Sequence, residues 1–471
     1  MIFNRNKINN NLPTQWIWTN LSEIAEIILG QSPSSSTYNI EGIGLPFYQG
    51  KKDFGDIYPV PHKWCTSPKK TAEKEDVLIS IRAPVGSTNI CSEKSCIGRG
   101  LAAIRPLGGI QSLFILYLLR TFEQEISEKA IGTTFGAINR NQLKQIPIPL
   151  PPLAEQHRIV AKIEELFTKL DAGVEALKKA KEQIKRYRQS VLKYAFEGKL
   201  TEEWRKENKD KLEPASVLIE KIKAKRKEKL GKKYKELPPI DTSELPEPPE
   251  GWVWVRLGES CEIIMGQSPS SKTYNYAGIG IPFYQGKAEF GNIYPTRVKW
   301  CSIPVRIAEK NDILLSIRAP VGPTNICPET SCIGRGLCAI RYELNELSRY
   351  IFYYLRSIES ELSKKGTGST FSAISRAQIE NLLIPFAPLP EQHQIVSEIE
   401  RRFAVADAVE KVIDNSLKQA ERLRQSILKK AFEGKLVPQD PNDEPASELL
   451  KRIKESKENM QSQKSKNKGK K

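Results

Sequence analysis

Polar residues on turn-rich stretches of the first half of the chain return unchanged in the second. Gln31, Ser34, Tyr38, Gln49, Lys51, Arg82, Asn89, Arg99 and Thr134 recur as Gln267, Ser270, Tyr274, Gln285, Lys287, Arg318, Asn325, Arg335 and Thr370. Gln and Asn can pair bidentately with adenine, and Arg or Lys with guanine, in a major groove. Ser, Thr, Tyr and Lys suit phosphate oxygens. The set therefore reads as DNA-binding. Arg82 and Arg99 rank first, because each stands beside a Pro or Gly turn where a strand hands its end to solvent. For any one of these residues the plain alternative is a turn or surface role. Trp64 and Phe47 read as core rather than as platforms for stacked bases.

Catalytic constellations are missing. No G-x-x-x-x-G-K-[ST] loop is present, since Gly44 to Gly50-Lys51 has the wrong spacing and continues into Lys52. There is no G-x-G-x-x-G after a strand, no G-x-S-x-G and no H-E-x-x-H. The chain holds 3 histidines; His157 and His393 stand at helix starts, where capping or packing is expected. Glu73 with Asp76 imitates a nuclease carboxylate pair, but nucleophile, base and stabiliser cannot all be named. Of 8 cysteines none form Cys-x-x-Cys; Cys91 and Cys96 recur as Cys327 and Cys332, yet His62 beside the first pair aligns with Val298. Buried thiols in a reducing cytosol are expected, not a zinc site. No metal is expected.

The elements that position these residues follow from a duplication. His157 and His393 stand 236 residues apart, as do Gly30 and Gly266, Trp64 and Trp300, and Gly198 and Gly434. A period this long means two domain-sized copies, not a solenoid. The segments read as globular 1–152, long helix 153–200, basic then Pro/Glu-rich linker 201–250, globular 251–388, long helix 389–436 and Lys-rich tail 437–471, with Lys464 to Lys471 disordered. In the globular segments, Asp76 to Arg82 and Ile97 to Ile104 read as strands, Gln111 to Phe122 as a helix, and Gly132 to Gly136 as a loop, an α+β pattern. The long stretches carry apolar residues three, four or seven apart, at Ile159, Ile163, Leu166, Leu170 and Leu177 and at Ile395, Ile399, Phe403, Ile413 and Leu417. About 45 residues at 1.5 Å each make a rod of roughly 65 Å, whose seam needs a partner. The two rods are expected to form an antiparallel coiled coil, because a parallel pair would crowd both globular segments at one end. A net charge of +17 points to a polyanionic partner. The polar N-terminus is not a signal peptide, and no apolar run reaches the ~18 residues of a membrane span.

These residues resemble a known family, the specificity (S) subunits of type I restriction–modification systems. The resemblance covers nearly the whole chain. It rests on the two-copy layout and on the phrases Pro152–Val160 (PLAEQHRIV), Ala195–Leu200 (AFEGKL) and Ser80–Gly86 (SIRAPVG). It implies two target-recognition domains joined by the paired helices, and a bipartite target in double-stranded DNA. It further implies two methyltransferase (M) subunits as partners, optionally two restriction (R) subunits, a cytoplasmic location, and no catalytic residue or cofactor in this chain. Recognition domains in that family usually differ strongly, whereas these two nearly match, so a palindromic or nearly palindromic target is expected. The competing readings are a coiled-coil scaffold that recognises protein, a stand-alone DNA-binding protein and a fused enzyme.

Overall fold

The computed structural model describes residues 12–131, 137–234, 236–343, 348–365 and 373–468. Its contacts gather into two compact units, Met1–Lys178 with Asp414–Lys471, and Lys179–Ile413. Each unit thus takes a globular segment from one copy of the repeat and chain from the other.

The first globular segment contains β1 (Ile17–Asn20), β2 (Ala25–Leu29), β3 (Tyr38–Asn39), β4 (Leu45–Tyr48), β5 (Trp64–Cys65), β6 (Thr71–Ala72), β7 (Val77–Ser80), β8 (Thr88–Ile90), β9 (Ser95–Ile97), β10 (Leu101–Pro106) and β11 (Pro147–Leu150). They form sheets in the orders β1-β11, β2-β10-β7-β8 and β3-β5-β4-β9-β6. Every pairing is antiparallel except β4 with β9. The second globular segment repeats all three orders. Val77, Leu78 and Ile79 of β7 are apolar in succession because both faces of the strand are covered. Val77 and Ile79 join the large core with Phe114, Ile115 and Leu118, while Leu78 faces a smaller cluster with Tyr48, Ile97 and Ala103.

Helices α1 (Leu21–Ile24), α2 (Ser112–Thr121), α3 (Glu123–Ile131) and α4 (Arg140–Lys144) complete the segment, and α5 (Leu153–Phe196) follows. Pro151 and Pro152 precede α5. It ends where Gly198 takes a φ of 71°, with its N–H on the Ala195 carbonyl at 3.2 Å and the Lys199 N–H on the Tyr194 carbonyl at 2.9 Å. After α6 (Glu202–Asn208) and α7 (Ala215–Leu230), the second copy supplies α8 (Leu257–Ser260), α9 (Ser348–Ser357), α10 (Glu359–Lys365), α11 (Arg376–Glu380) and α12 (Leu389–Phe432), and α13 (Ala446–Lys468) closes the chain.

The long helices pack together, running antiparallel in both units. In the first, Asp171 meets Arg424 while Glu155 accepts from Gln439. In the second, Arg188 meets Asp407 and Glu410 at 2.7 and 3.1 Å, and Glu391 meets Arg205 at 2.9 Å. The seam residues divide by depth. Ile159 and Ile163 lie in the core of the first unit, Ile395 and Ile399 in that of the second, and Ile413 is also buried. Leu166, Leu170, Leu177, Phe403 and Leu417 are half-buried. Mid-helix contact leans instead on cations over rings: Arg424 stands 4.4 Å from the Phe167 ring centre, and Arg188 stands 5.3 Å from that of Phe403.

Two sequence expectations are corrected here. Residues 201–250 are not only linker, because Ala215, Leu218, Ile219 and Ile222 of α7 are buried with Trp252, Val191 and Phe196. Residues 437–471 are not only a Lys-rich tail: Ala446, Leu449, Leu450 and Ile453 of α13 enter the core of the first unit, the helix runs to Lys468 through part of the stretch expected to be disordered, and residues 469–471 lie outside the described residues. The four apolar positions repeat at i, i+3, i+4 and i+7 in each helix, a buried stripe that the surrounding lysines hide from a reading by charge.

Candidate nucleic-acid interface

Three loops of the first globular segment converge because glycine lets them touch. A Cβ on Gly100 would stand 2.1 Å from the Gln49 carbonyl oxygen, and one on Gly98 would stand 3.3 Å from Ser32 Oγ and 3.4 Å from Gln49 Cα. The Arg99 N–H donates to Ser32 Oγ at 3.2 Å, tying the turn after β9 to the loop after β2. The Gln49 loop is closed from below by Asp53, whose Oδ2 accepts the Gln49 N–H at 2.6 Å and the Gly50 N–H at 3.3 Å. From the end of β7, Ser80 Oγ donates to the carbonyls of Arg82 and Pro84, each at 2.9 Å, and so fixes the turn that presents Arg82.

The result is an open cleft of about 230 Å³ lined by Ser32, Gln49, Ser80, Arg82 and Arg99. Arg82 and Arg99 are exposed, and among the described residues neither is paired with a carboxylate. Among the described residues no acidic side chain lines the cleft. What it offers is two guanidinium forks and a carboxamide on rigid turns, a set suited to base edges and phosphates.

The second segment builds the same loops. A Cβ on Gly336 would stand 2.3 Å from the Gln285 carbonyl oxygen. Arg335 N–H reaches Ser268 Oγ at 3.3 Å, Glu289 replaces Asp53 under Gln285 and Gly286, and Ser316 holds the Arg318 turn. Lys299 Nζ additionally donates to Gln285 Oε1 at 3.0 Å.

The remaining candidates scatter. Gln31, Ser34, Gln267 and Ser270 are exposed on neighbouring loops outside the cleft. Lys51 is exposed on the turn after Gln49; Lys287 lines a separate crevice of about 300 Å³ with Arg188, Thr324 and Arg356. The Tyr38 and Tyr274 hydroxyls donate to the carbonyls of Pro33 and Pro269 at 2.9 and 2.8 Å, and their rings pack on Phe47 and Phe283. Thr134 and Thr370 lie outside the described residues.

Asn89 and Asn325 are corrected. Each is 1% exposed, and its amide oxygen and nitrogen hold the N–H and carbonyl of Gly55 or Gly291 at 3.0–3.1 Å. These amides are taken up in stapling a loop rather than held out for a base. Sequence reasoning passed over Ser32 and Asp53, although Ser32 recurs as Ser268 within the same repeated phrase.

The other chemical candidates take structural roles. Asp76 is buried and bound bidentately by Arg105 at 2.9 and 2.8 Å, and Glu73 pairs with Lys94 at 2.9 Å. Burial pushes the Cys91 thiol up to about 11 and the Cys96 thiol up to about 12, which disfavours the thiolate a metal would need. His157 and His393 are exposed, one turn inside their helices rather than at a cap.

Comparison with known proteins supplies the context. A family profile described as the type I restriction modification DNA specificity domain matches residues 13–186 and 249–419. A putative type I restriction enzyme MjaX specificity subunit of Methanocaldococcus jannaschii is 35% identical over 72% of each chain. The type I restriction enzyme EcoDI specificity subunit of Escherichia coli is 26% identical over 94% of this chain and 95% of its own. Among solved structures, a chain from work on complex assembly and conformational transition of the type I R-M system superposes with a TM-score of 0.69 at 31% identity, covering 90% of this chain and 99% of that one. The HsdS subunit from Thermoanaerobacter tengcongensis gives 0.55 at 30% identity, covering 91% and 99%.

Proposed function

The chain belongs to the type I restriction modification DNA specificity family, and from that premise we propose that it reads a bipartite DNA target and assembles two methyltransferase subunits, and optionally two restriction subunits, around it in the cytoplasm. The observation that carries the reading is the cleft of Gln49, Arg82 and Arg99, whose loops recur in the second copy with Gln285, Arg318 and Arg335. Such cations hold phosphates and read guanine, while the chain itself performs no chemistry on the DNA. Methyl transfer and cleavage then belong to the partners. The paired helices leave apolar residues exposed, among them Tyr194, Val405 and Val412, and these supply a surface for the methyltransferase subunits.

The two copies of the cleft carry the same readers, so the two half-sites are similar and the target palindromic or nearly so. The residues that differ, such as Lys52 against Ala288 and His62 against Val298, lie outside the cleft lining. Sequencing the methylated positions of DNA from cells expressing this chain with its methyltransferase tests the reading. Two similar half-sites are expected, and two unrelated half-sites overturn the equivalence of the copies. Binding of the complex to its methylated motif should also weaken steeply with salt, because phosphate contacts release counterions.

A further inference from the structure

In each globular segment a short loop holds two bare apolar side chains out into solvent. In the first copy they are Ile40, 74% exposed, and Ile43, 61% exposed; in the second they are Tyr276, 73%, and Ile279, 62%. The loop is rigid. Asn39 Nδ2 donates to the Ile43 carbonyl at 2.7 Å, and its Oδ1 accepts the Ile43 N–H at 3.0 Å. Asn275 repeats both bonds with Ile279 at 2.8 and 3.0 Å. Gly44 and Gly280, at φ of 95° and 93°, bring the loop hard against the neighbouring strand: a Cβ there would stand 2.3 or 2.1 Å from the carbonyl oxygen of Cys65 or Cys301.

The loop shares a small sheet with the cleft. It leads into β4, and Gln49 follows the other end of that strand. In the second copy Trp300 pairs with Asn275 at the foot of the loop, and its neighbour Lys299 bonds Gln285. Gln49 stands six positions after Ile43, a span of at most about 20 Å, so a duplex read at the cleft lies within reach of the tip.

We propose that these tips are wedges that enter a base step of the duplex beside each half-site. The inference rests on the DNA-reading function above. Apolar side chains that partly unstack a step and bend the duplex need only one or two residues on a stiff support, which is what each loop provides. A stable protein interface buries about 1,200–2,000 Å², far more than two side chains flanked by polar Asn39 and Glu41 can supply. The recurrence of the tip on both reading domains points the same way. Glu41 is Ala277 in the second copy, so the second tip meets less repulsion from phosphates and should enter more fully.

The test uses the full chain in complex with its methyltransferase subunits, on duplexes carrying the methylated motif with 2-aminopurine moved step by step across and beside each half-site. One position per half-site other than the methylated base, which the methyltransferase itself takes out of the stack and which is left out of the scan, should brighten several-fold, more strongly at the half-site of the second copy. I40S/I43S should abolish the signal at one half-site only and Y276S/I279S at the other, with the methylated motif unchanged. I40L/I43L should restore it. Brightening at no position, or brightening that survives both variants, overturns the wedge. Loss of methyltransferase co-purification in the serine variants, with the fluorescence signal intact, overturns it in favour of protein docking. If the wild-type complex fails to select its motif at all, the DNA-reading function has failed and takes the wedge with it.

Discussion

Arg82 and Arg99 could be picked out from type and neighbours alone, because a cation at a Pro or Gly turn has nowhere to go but solvent. Substitution of Arg82 by Ala should weaken binding by about 1–3 kcal/mol if the fork is bidentate to a guanine, and should relax the motif in one half-site only; Arg318→Ala should do the same in the other. Methylation sequencing of the two variants reads this out. Asn89 looked equally suitable and was not, since a strand amide that staples a loop has the same sequence as one that reads a base. Asn89→Ala should leave the motif intact and lower stability by about 1–2 kcal/mol, the cost of stripping partners from the Gly55 backbone, seen as a lower melting temperature. A sharper contrast comes from equivalent glutamates under equivalent tryptophans. Glu155 accepts Trp16 Nε1 at 2.9 Å and Gln439 at 2.7 Å, whereas Glu391 accepts Trp252 at 2.8 Å, Thr201 at 2.7 Å and Arg205 at 2.9 Å. Burial raises the Glu155 carboxyl above its ordinary value of 4.5. The stabilisation tied to its protonated form is complete below that value and is lost as pH rises through the folded-state pKa. Glu155→Gln should therefore gain on wild type as pH increases from about 4.5 towards neutrality. Glu391→Gln instead removes the charge partner of Arg205, which keeps only the Gly198 carbonyl and the Trp252 ring, and should destabilise near neutral pH. Calorimetry across pH separates the two, and matching responses would contradict the asymmetry.

At the scale of elements, the long helices were legible because one periodic stripe is bracketed by prolines and a glycine. Their observed limits, Leu153–Phe196 and Leu389–Phe432, fall close to the expected ones. What periodicity does not reveal is how deep each seam position lies. Ile163 is fully buried in the first unit and Leu170 only partly. Ile163→Asp should thus destabilise by several kcal/mol and Leu170→Asp by much less; equal losses in thermal unfolding would mean that the seam is uniform. The short strands β3, β5 and β6 were not legible, since two residues carry no period. Nor were the buried stripes of α7 and α13, whose four apolar positions are outnumbered by lysines that only the folded chain turns outward.

Across the whole molecule, each compact unit needs both copies of the repeat. Proteolysis between Asp241 and Glu244, an exposed stretch without helix or strand, should leave the two fragments associated, because residues on both sides of the cut enter both units. The nicked chain should elute as one species, and should resolve into two only after denaturation. Dependence between the copies has a consequence for synthesis. The first recognition domain leaves the ribosome without Phe432, Leu449 and Ile453, the residues that close its core. At 5–20 residues per second, the missing helices arrive roughly 15–60 s later. Throughout that interval its apolar face is open, and the nascent chain depends on dilution or a chaperone to keep it from sticking. Stop codons inherit the same geometry: a truncation just before Ala446 should cripple the domain written first, sparing the one nearest the break.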